Sequence, residues 1–349
     1  MAYEIDYIHV GDSERSGDAI ALRFGNLSGT RAEQTVLVID GGDKDAGSTL
    51  AEHIRTYYKT DQVDIVISTH PDADHASGLS TVLEEMDVRQ LLMHRPWEHA
   101  GDIKDAFSDG RWTERGLGEK IEKSLRHANE LETIANKKQI PILEPFQGVA
   151  TPNGSLRVLG PSFDFYQSLL PHFRSTPATN IPSPMGGLLQ KARETVELIE
   201  DRFDLDLLND DEDTTSPENN SSTIILLSLD GRRLLFTGDA GKTALLHAAN
   251  YAQTLGISLA GMEFLDVPHH GSRRNLSTKV LKRINASTAY ISVSTSSPKH
   301  PAKKIINGLK KHGAEVFLTR GNTAHHNYNG IPRGWGASTP EPFYSRVEV

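Results

Sequence analysis

Short apolar runs separated by glycine, proline and polar turns dominate the chain, and their spacing predicts alternating strands and helices. The spacing of apolar residues over Ser48–Tyr58 predicts a helix whose first residue is a candidate N-cap. This helix lies between predicted buried strands, so the order of elements favours a layered α/β domain. The predicted strands of the N-terminal part are Tyr3–Val10, Ala19–Phe24, Gln34–Gly42, Val63–Ser68 and Gln90–Met93.

The C-terminal half shows the same alternation. Apolar runs flank Asp230-Gly231, a dipeptide typical of two-residue hairpin turns. Helical spacing follows over Thr243–Leu255 and Lys303–His312. The predicted strands of this half are Thr223–Leu229, Arg233–Phe236, Phe264–Val267, Thr288–Val293 and Val316–Thr319.

Two segments interrupt this order. Residues 97–138 have mostly helical spacing and predict a helical insertion. Residues 163–218 contain prolines, a Gly-Gly pair and an acidic tract, which predict a partly mobile insertion with one amphipathic helix over Leu188–Phe203. We therefore predict a single domain over residues 1–349 that carries both insertions.

Composition excludes several classes of site. The chain has 349 residues, a net charge of −9 and no cysteine, so disulfides, thiolate catalysis and cysteine-based zinc sites are excluded. Residues 1–6 lack the basic and apolar regions of a signal peptide. No apolar run approaches the roughly 18 residues that a spanning helix needs. A cytoplasmic protein without a membrane partner is expected.

The stretch directly after the strand Val63–Ser68 carries the strongest chemical signal. It places His70, Asp72, Asp74 and His75 within six residues. One short loop cannot bring four such ligands to a single ion without strain, but it can divide them between two. Helix capping is the alternative, yet a cap needs only one such side chain. The stretch predicts a metal site.

Other predicted strands also end in candidate ligands. Asp239 follows the second strand of the hairpin, His269 and His270 follow the next strand, and Asp40 closes an earlier one. Alone, each would be interpreted as a turn residue or a surface histidine. Because loops at strand ends converge on one edge of a layered α/β protein, their combination predicts one shared site.

These motifs, in this order, resemble the metallo-β-lactamase superfamily of binuclear metallohydrolases. Within it they are most similar to the soluble nuclease-like domain of ComEC-type competence proteins, in which aspartate also stands at the position of Asp72. The superfamily's third-motif histidine is absent, and Asn219-Asn220-Ser221 occupies its place in order. The matching segments are Gly17–Ile20, Val38–Gly42, His70–His75, Asn219–Ser222, Phe236–Asp239, His269–Ser272 and His300–Pro301.

The resemblance implies a four-layer αββα sandwich with two metal ions between the strand ends. It implies that one ion binds His70 and Asp72, and that the other binds Asp74, His75 and His269. Asp239 would bridge both ions, and the first ion would be short of a protein ligand.

The chemistry of the candidate residues extends this expectation. A carboxylate at Asp72 makes the site harder, which favours Mn²⁺ or Mg²⁺ over Zn²⁺; two divalent ions, Mn²⁺ or Zn²⁺ with Mg²⁺ as a further candidate, are the expected cofactors. Asp40 is expected to orient a ligand histidine. Asp74, His270 and His300 are the candidate catalytic residues, since the histidines can protonate a leaving oxygen. The remaining candidates for second-sphere or substrate contacts are Asn220, Ser272 and Arg273.

A metal-dependent phosphodiesterase or nuclease is the favoured function, with a phosphodiester of nucleic acid or a small nucleotide as its partner. Residues 268–320 contain eleven Lys or Arg and one acid, which suits an anionic substrate. One alternative is a metallohydrolase of a carbon ester, lactone or thioester, although such sites usually have histidine where Asp72 stands. Another is a binding or regulatory protein with a degenerate site. The oligomeric state stays open.

Overall fold

The computed structural model describes residues 1–10, 16–107, 109–177, 179, 198–208, 210 and 213–348. Its strands, numbered along the chain, are β1 (Ala2–Tyr7), β2 (Ala19–Gly25), β3 (Gln34–Gly41), β4 (Gln62–Val63), β5 (Ile65–Ile67), β6 (Asp87–Val88), β7 (Leu91–Leu92), β8 (Ile142–Leu143), β9 (Leu156–Gly160), β10 (Leu198–Glu200), β11 (Ile224–Leu229), β12 (Arg232–Phe236), β13 (Met262–Asp266), β14 (Ala286–Ile291), β15 (Glu315–Leu318), β16 (Ala324–Tyr328) and β17 (Arg346–Glu348). Its α-helices are α1 (Lys44–His53), α2 (Ala73–Ala76), α3 (Leu79–Glu85), α4 (Ala100–Ile103), α5 (Glu114–Ser124), α6 (Arg126–Lys138), α7 (Phe163–Leu169), α8 (Pro217–Asn220), α9 (Lys242–Thr254), α10 (Thr278–Leu281) and α11 (Lys303–Lys311).

The described part of the chain contains two large sheets. The first has the strand order β16-β1-β2-β3-β5-β7-β8, antiparallel at the β16 end and parallel from β3 onwards. The second has the order β15-β14-β13-β12-β11-β9, with β12 to β15 parallel. The hairpin predicted at Asp230-Gly231 joins β11 and β12.

Successive side chains along the strands point to opposite faces of each sheet, so the core consists of two clusters. In β2, Ile20 and Leu22 belong to the cluster between the sheets, where Phe264 of the facing sheet also lies. Their neighbours Ala19 and Ala21 belong to the cluster that the helices cover. This period of two gives each sheet one face toward the other sheet and one toward helices. The predicted four-layer αββα sandwich is confirmed.

The structure differs from the predicted elements at several boundaries. Helix α1 starts earlier than predicted, because the side chain of Asp43, and not Ser48, accepts the hydrogen bond from Ala46 N. For the predicted helix Leu188–Phe203, residues 188–197 lie outside the described residues, and the segment after them is β10, which pairs with β17. Residues 97–138 contain helices α4 to α6, as their spacing predicts.

One acid of the tract before α8, Asp213, is buried and held by hydrogen bonds. Asp213 is 6% exposed and accepts hydrogen bonds from the backbone N–H groups of Thr215 and Thr243. These bonds fasten Asp213 to the start of α9. Within the described residues, no helix combines the length and apolar character that crossing a membrane requires.

Candidate metal centre

Asp239 stands at the centre of the candidate site, in the turn that follows β12. The turn needs glycine at position 238, because Gly238 has a φ of +50° and a Cβ there would lie 2.8 Å from the Thr69 hydroxyl. The hydroxyl of Ser222 accepts a hydrogen bond from the backbone N–H of Asp239. Close packing of these loops therefore fixes the carboxylate, which is 4% exposed.

Four imidazoles surround the two oxygens of Asp239. The Nε2 atoms of His70 and His269 lie 3.8 and 3.5 Å from Oδ2. The Nε2 atoms of His75 and His270 lie 3.4 and 3.7 Å from Oδ1. One carboxylate is therefore shared between two pairs of histidines.

The other nitrogen of each ring faces an acceptor. His75 Nδ1 donates to Asp40 Oδ2 at 2.8 Å, and His270 Nδ1 donates to the backbone carbonyl of Ser292 at 3.0 Å. His269 Nδ1 donates to the Asn275 carbonyl oxygen at 3.2 Å. Because a neutral imidazole carries one proton, a donating Nδ1 leaves Nε2 with a lone pair directed at Asp239.

Asp40 and Thr69 hold the fourth ring. Thr69 donates to Asp40 twice, from its backbone N–H at 2.8 Å and from its hydroxyl at 2.6 Å. With its proton committed to Asp40, the hydroxyl oxygen accepts from His70 Nδ1 at 3.0 Å. Asp40 thus orients two candidate ligand histidines, which is the role the sequence predicts for it toward one of them.

Among the described residues, the inner atoms of the site have no hydrogen-bond partners, although protein atoms surround them. These atoms are Nε2 of His70, His75 and His270 and Oδ1 of Asp239. Unpaired buried polar groups are costly, and a metal ion is the partner that suits imidazole and carboxylate together. The residues present therefore fit divalent metal.

Electrostatics point the same way. Burial raises the pKa of Asp239 well above its usual value, with further contributions from Asp18 and Asp74. Burial lowers the pKa of His269 to about 3 and those of His70 and His270 well below the usual range, so these rings are neutral at physiological pH. Burial also opposes a charge on His75, but Asp239 and Asp40 outweigh it and raise the pKa of that ring well above its usual value. One protonated ring among several buried acids leaves negative charge, which bound cations would neutralise.

The structure groups the metal candidates differently from the expected assignment. His270, and not His269, lies with Asp74 and His75, because one ligand atom from each of these three lies within 4.8 Å of the others. His269 lies on the Oδ2 side with His70. The cause is a turn in which both His269 and His270 have left-handed φ angles, 50° and 53°.

Asp72 is the candidate whose carboxylate pairs with an arginine. Both of its oxygens accept from Nη2 of Arg174 at 2.8 Å. In the part of the chain that the structure describes, the groups arranged to hold an ion do not include Asp72. Arg174 comes from the insertion after α7, where the sequence offers no signal for it.

At the position of the absent third-motif histidine, Asn219 and Asn220 do different things. Asn219 Nδ2 donates to Asp239 Oδ2 at 2.9 Å. Asn220 lies deeper, where its side chain bonds the backbone of Gly241 and Thr215. The asparagine that contacts the site is therefore Asn219, next to the residue that the sequence predicts.

The remaining predicted residues lie around the rim. The His300 ring lies 5.4 Å from that of His269 and 6.2 Å from that of His270. Burial lowers the pKa of His300 to about 4, and Lys299 contributes. Ser272 is buried, and its hydroxyl accepts from the backbone N–H of Arg274 at 3.4 Å. Arg273 is partly exposed in the same loop.

Sequence reasoning missed two further side chains at the site. Asp18 lies 3.7 Å from His75 Nδ1 and 3.5 Å from His270 Nδ1, and burial raises its pKa to about 7. Its place in the Gly17–Ile20 motif was an available signal. Asn275 holds its amide in one orientation by donating to the carbonyls of Asp239 and Ala240, which turns its own oxygen to His269.

Several histidines outside the motifs lie in the core. His94 and His99 are buried, and His99 Nε2 contacts the Glu144 carboxylate at 3.0 Å. His325 lies in strand β16, and its Nδ1 donates to the buried Asp6 at 2.7 Å. These contacts belong to the core and not to the candidate centre.

A family model described as the metallo-beta-lactamase superfamily matches residues 30–295. No curated protein matches the chain. Among solved structures, a mutant CmlA beta-hydroxylase is 11% identical with a TM-score of 0.44, over 93% of this chain; the chain spans about half of its length, 53%. Unliganded yeast PDE1 is 12% identical with a TM-score of 0.43, over 93% of this chain and 98% of that one. A diphosphatase from the PhnP family is 11% identical with a TM-score of 0.40, over 94% and 99%.

Proposed function

The chain belongs to the metallo-beta-lactamase superfamily, and from that premise we propose that it is a phosphodiesterase with two divalent metal ions. The observation that carries the proposal is the sharing of Asp239 between two pairs of imidazoles. His70 and His269 face one oxygen, and His75 and His270 face the other.

Each side of Asp239 is suited to hold one ion. His75 and His270, together with Asp74, would offer the second ion two imidazoles and a carboxylate next to Asp239. His70 and His269 offer the first ion two imidazoles and the other oxygen. When bound, such a pair lowers the pKa of a water and stabilises both the attacking and the leaving oxygen of a phosphoryl displacement.

The chain's own residues supply orientation and hydrogen bonding. Asp40 and Thr69 hold His75 and His70 with Nε2 toward the ions. His300 is neutral at physiological pH, and its buried Nδ1 has no hydrogen-bond partner in the described structure. Beside His269, this ring is suited to hydrogen-bond a substrate oxygen.

The charges around the site support a phosphodiester over a carbon ester. Arg174 pairs with Asp72 on one side of the centre, and Arg273 and Arg274 lie three and four positions after His270 in the chain. Guanidinium groups bind phosphate oxygens with paired hydrogen bonds. The mixed carboxylate and imidazole ligand set also accommodates Mn²⁺, a metal common in phosphoryl transfer.

The test is turnover by the purified protein with Mn²⁺ on four substrates: bis-p-nitrophenyl phosphate, linear single-stranded DNA, a cyclic dinucleotide and p-nitrophenyl acetate. We expect hydrolysis of phosphodiesters, and we expect Asp74→Ala and Asp239→Ala each to abolish it while the far-ultraviolet circular dichroism stays unchanged. Asp87→Ala, at an exposed position on β6, is the matched control and retains activity. Turnover that persists in either site variant, or a preference for the acetate ester, contradicts the proposal.

A further inference from the structure

We propose that Asp72 anchors Arg174 and is not a metal ligand, and that Arg174 binds an anionic oxygen of the substrate beside the metal centre. The inference rests on the proposed function for its substrate class. Its first half, the role of Asp72, stands independently of that function.

Two carboxylates fix the Arg174 side chain. Nη2 donates to both oxygens of Asp72 at 2.8 Å, and Nε donates to Oε1 of Glu218 at 3.1 Å. Glu218 also accepts from the backbone N–H of Arg174, and its side chain is 2% exposed. Glu218 is the neighbour of Asn219, so the same short helix holds both Arg174 and Asp239.

The anchored guanidinium remains accessible. The Arg174 side chain is 65% exposed, although it bonds two acids. In the described residues, its bonds to Asp72 and Glu218 use Nε and Nη2, which leaves the donors of Nη1 at the solvent side. A guanidinium that two carboxylates fix in this way is preorganised to bind an anionic oxygen of the substrate.

Asp72 differs from the candidate ligands in its partner and not in its burial. Its side chain is 25% exposed, which lies between the 29% of His269 and the 5% or less of His70, His75 and Asp239. Its two oxygens are both engaged by one guanidinium. The motif spacing from His70 predicts that Asp72 is a metal ligand. That spacing cannot show that Arg174, 102 positions away, pairs with Asp72.

The position of Arg174 favours an anion between it and the metals. Arg174 bonds Asp72, two positions from His70, and Glu218, the neighbour of the Asn219 that donates to Asp239, so it lies beside the candidate ligands. A guanidinium beside a pair of divalent cations is repelled by them. A substrate phosphate between the two reverses that repulsion, which makes Arg174 a specificity-determining residue for anionic substrates.

The first experiment measures metal content by inductively coupled plasma mass spectrometry after loading with Mn²⁺ and gel filtration. We expect Asp72→Asn to retain the wild-type number of ions per chain, and Asp74→Asn to lose metal. Loss of an ion from Asp72→Asn overturns the anchoring role. The readout requires no turnover, so it is independent of the proposed function.

The second experiment measures binding of inorganic phosphate to the metal-loaded protein by calorimetry. We expect Arg174→Ala to weaken binding about tenfold, the order expected for one charge-assisted contact at a partly exposed site. Asp72→Asn should weaken phosphate binding to a similar degree. The double variant should bind phosphate as well as Arg174→Ala does, because both changes disrupt the same Asp72–Arg174 pair. Arg115→Ala, on the exposed face of α5, is the control and keeps wild-type affinity.

Unchanged affinity in Arg174→Ala, additive losses in the double variant, or no phosphate binding by the wild type each overturn the role of Arg174. The substrate panel separates this result from the proposed function. Hydrolysis of the acetate ester alone would refute the phosphodiesterase, while the metal content of Asp72→Asn would still decide the anchoring role. Where phosphodiesters are hydrolysed, Arg174→Ala should raise KM for them and leave KM for the uncharged ester unchanged.

Discussion

Replacement of Asp40 by asparagine tests how the protein prepares its imidazoles for metal. Asp40 is fully buried and accepts three hydrogen bonds, two from Thr69 and one from His75 Nδ1. Asparagine has nearly the same shape but offers one acceptor oxygen and an NH₂ group. If the oxygen keeps the Thr69 backbone bond, the NH₂ faces Thr69 Oγ1 and His75 Nδ1. His75 then has to accept at Nδ1, which moves its proton to Nε2.

The magnitude follows from these contacts. A proton on Nε2 removes the lone pair that faces Asp239, so metal binding must first restore the other tautomer. Removing a group that orients a ligand costs about 10- to 100-fold in metal affinity, or about 1.4–2.7 kcal/mol. Loss of one hydrogen bond to a charged acceptor costs the apoprotein about 1.5–3 kcal/mol of unfolding free energy.

The assay is competition for Mn²⁺ against a fluorescent chelator, with urea unfolding of the apoprotein alongside. Asp64→Asn is the matched control, because Asp64 precedes β5 at the end opposite the metal loop and accepts from Val36 N and Arg31. We expect the control to lose stability and keep its metal affinity. An Asp40→Asn variant with wild-type metal affinity would refute the reasoning about the tautomer.

Two further predictions concern the scaffold. Burial alone would raise the pKa of Asp6, but hydrogen bonds from His325, His53 and Arg333 outweigh it and lower that pKa below its ordinary value. The stability that Asp6 contributes is therefore fully present above its unfolded pKa of about 3.9 and is lost as pH falls toward its folded pKa. The difference in melting temperature between the wild type and Asp6→Asn should narrow below about pH 4. A difference that stays constant contradicts this prediction. Phe264→Ala, at a fully buried position between the sheets, should lower the unfolding free energy measured in urea by about 3–5 kcal/mol. Leu255→Ala, at a 40% exposed position, should change it little. Equal effects of the two changes would contradict the assignment of the core.

The layered fold and the place of the site could be predicted because both depend on local pattern. Buried strands are continuous apolar runs, and the chemical residues follow directly after them. β5 leads into His70, and β12 leads into Asp239. Since the carboxyl ends of such strands meet at one edge, order along the chain was sufficient to predict which loops converge.

What the sequence could not predict depends on geometry within a turn or on contacts between distant segments. Which of His269 and His270 faces Asp74 is decided by two successive left-handed residues, a conformation that non-glycine residues seldom adopt. Whether Asn219 or Asn220 contacts Asp239 depends on which face of the four-residue helix α8 each side chain occupies. The pairing of Arg174 with Asp72 joins the motif loop to an insertion that has no periodic signal.

The central claim is that Asp239 is shared by two metal ions, each held by its own pair of histidines. The most direct measurement is the number of divalent ions per chain after loading with Mn²⁺, compared between the wild type and the single changes His70→Ala and His270→Ala. The account predicts two ions in the wild type and loss of one in each variant. A single ion in the wild type, or retention of both ions in either variant, would contradict it.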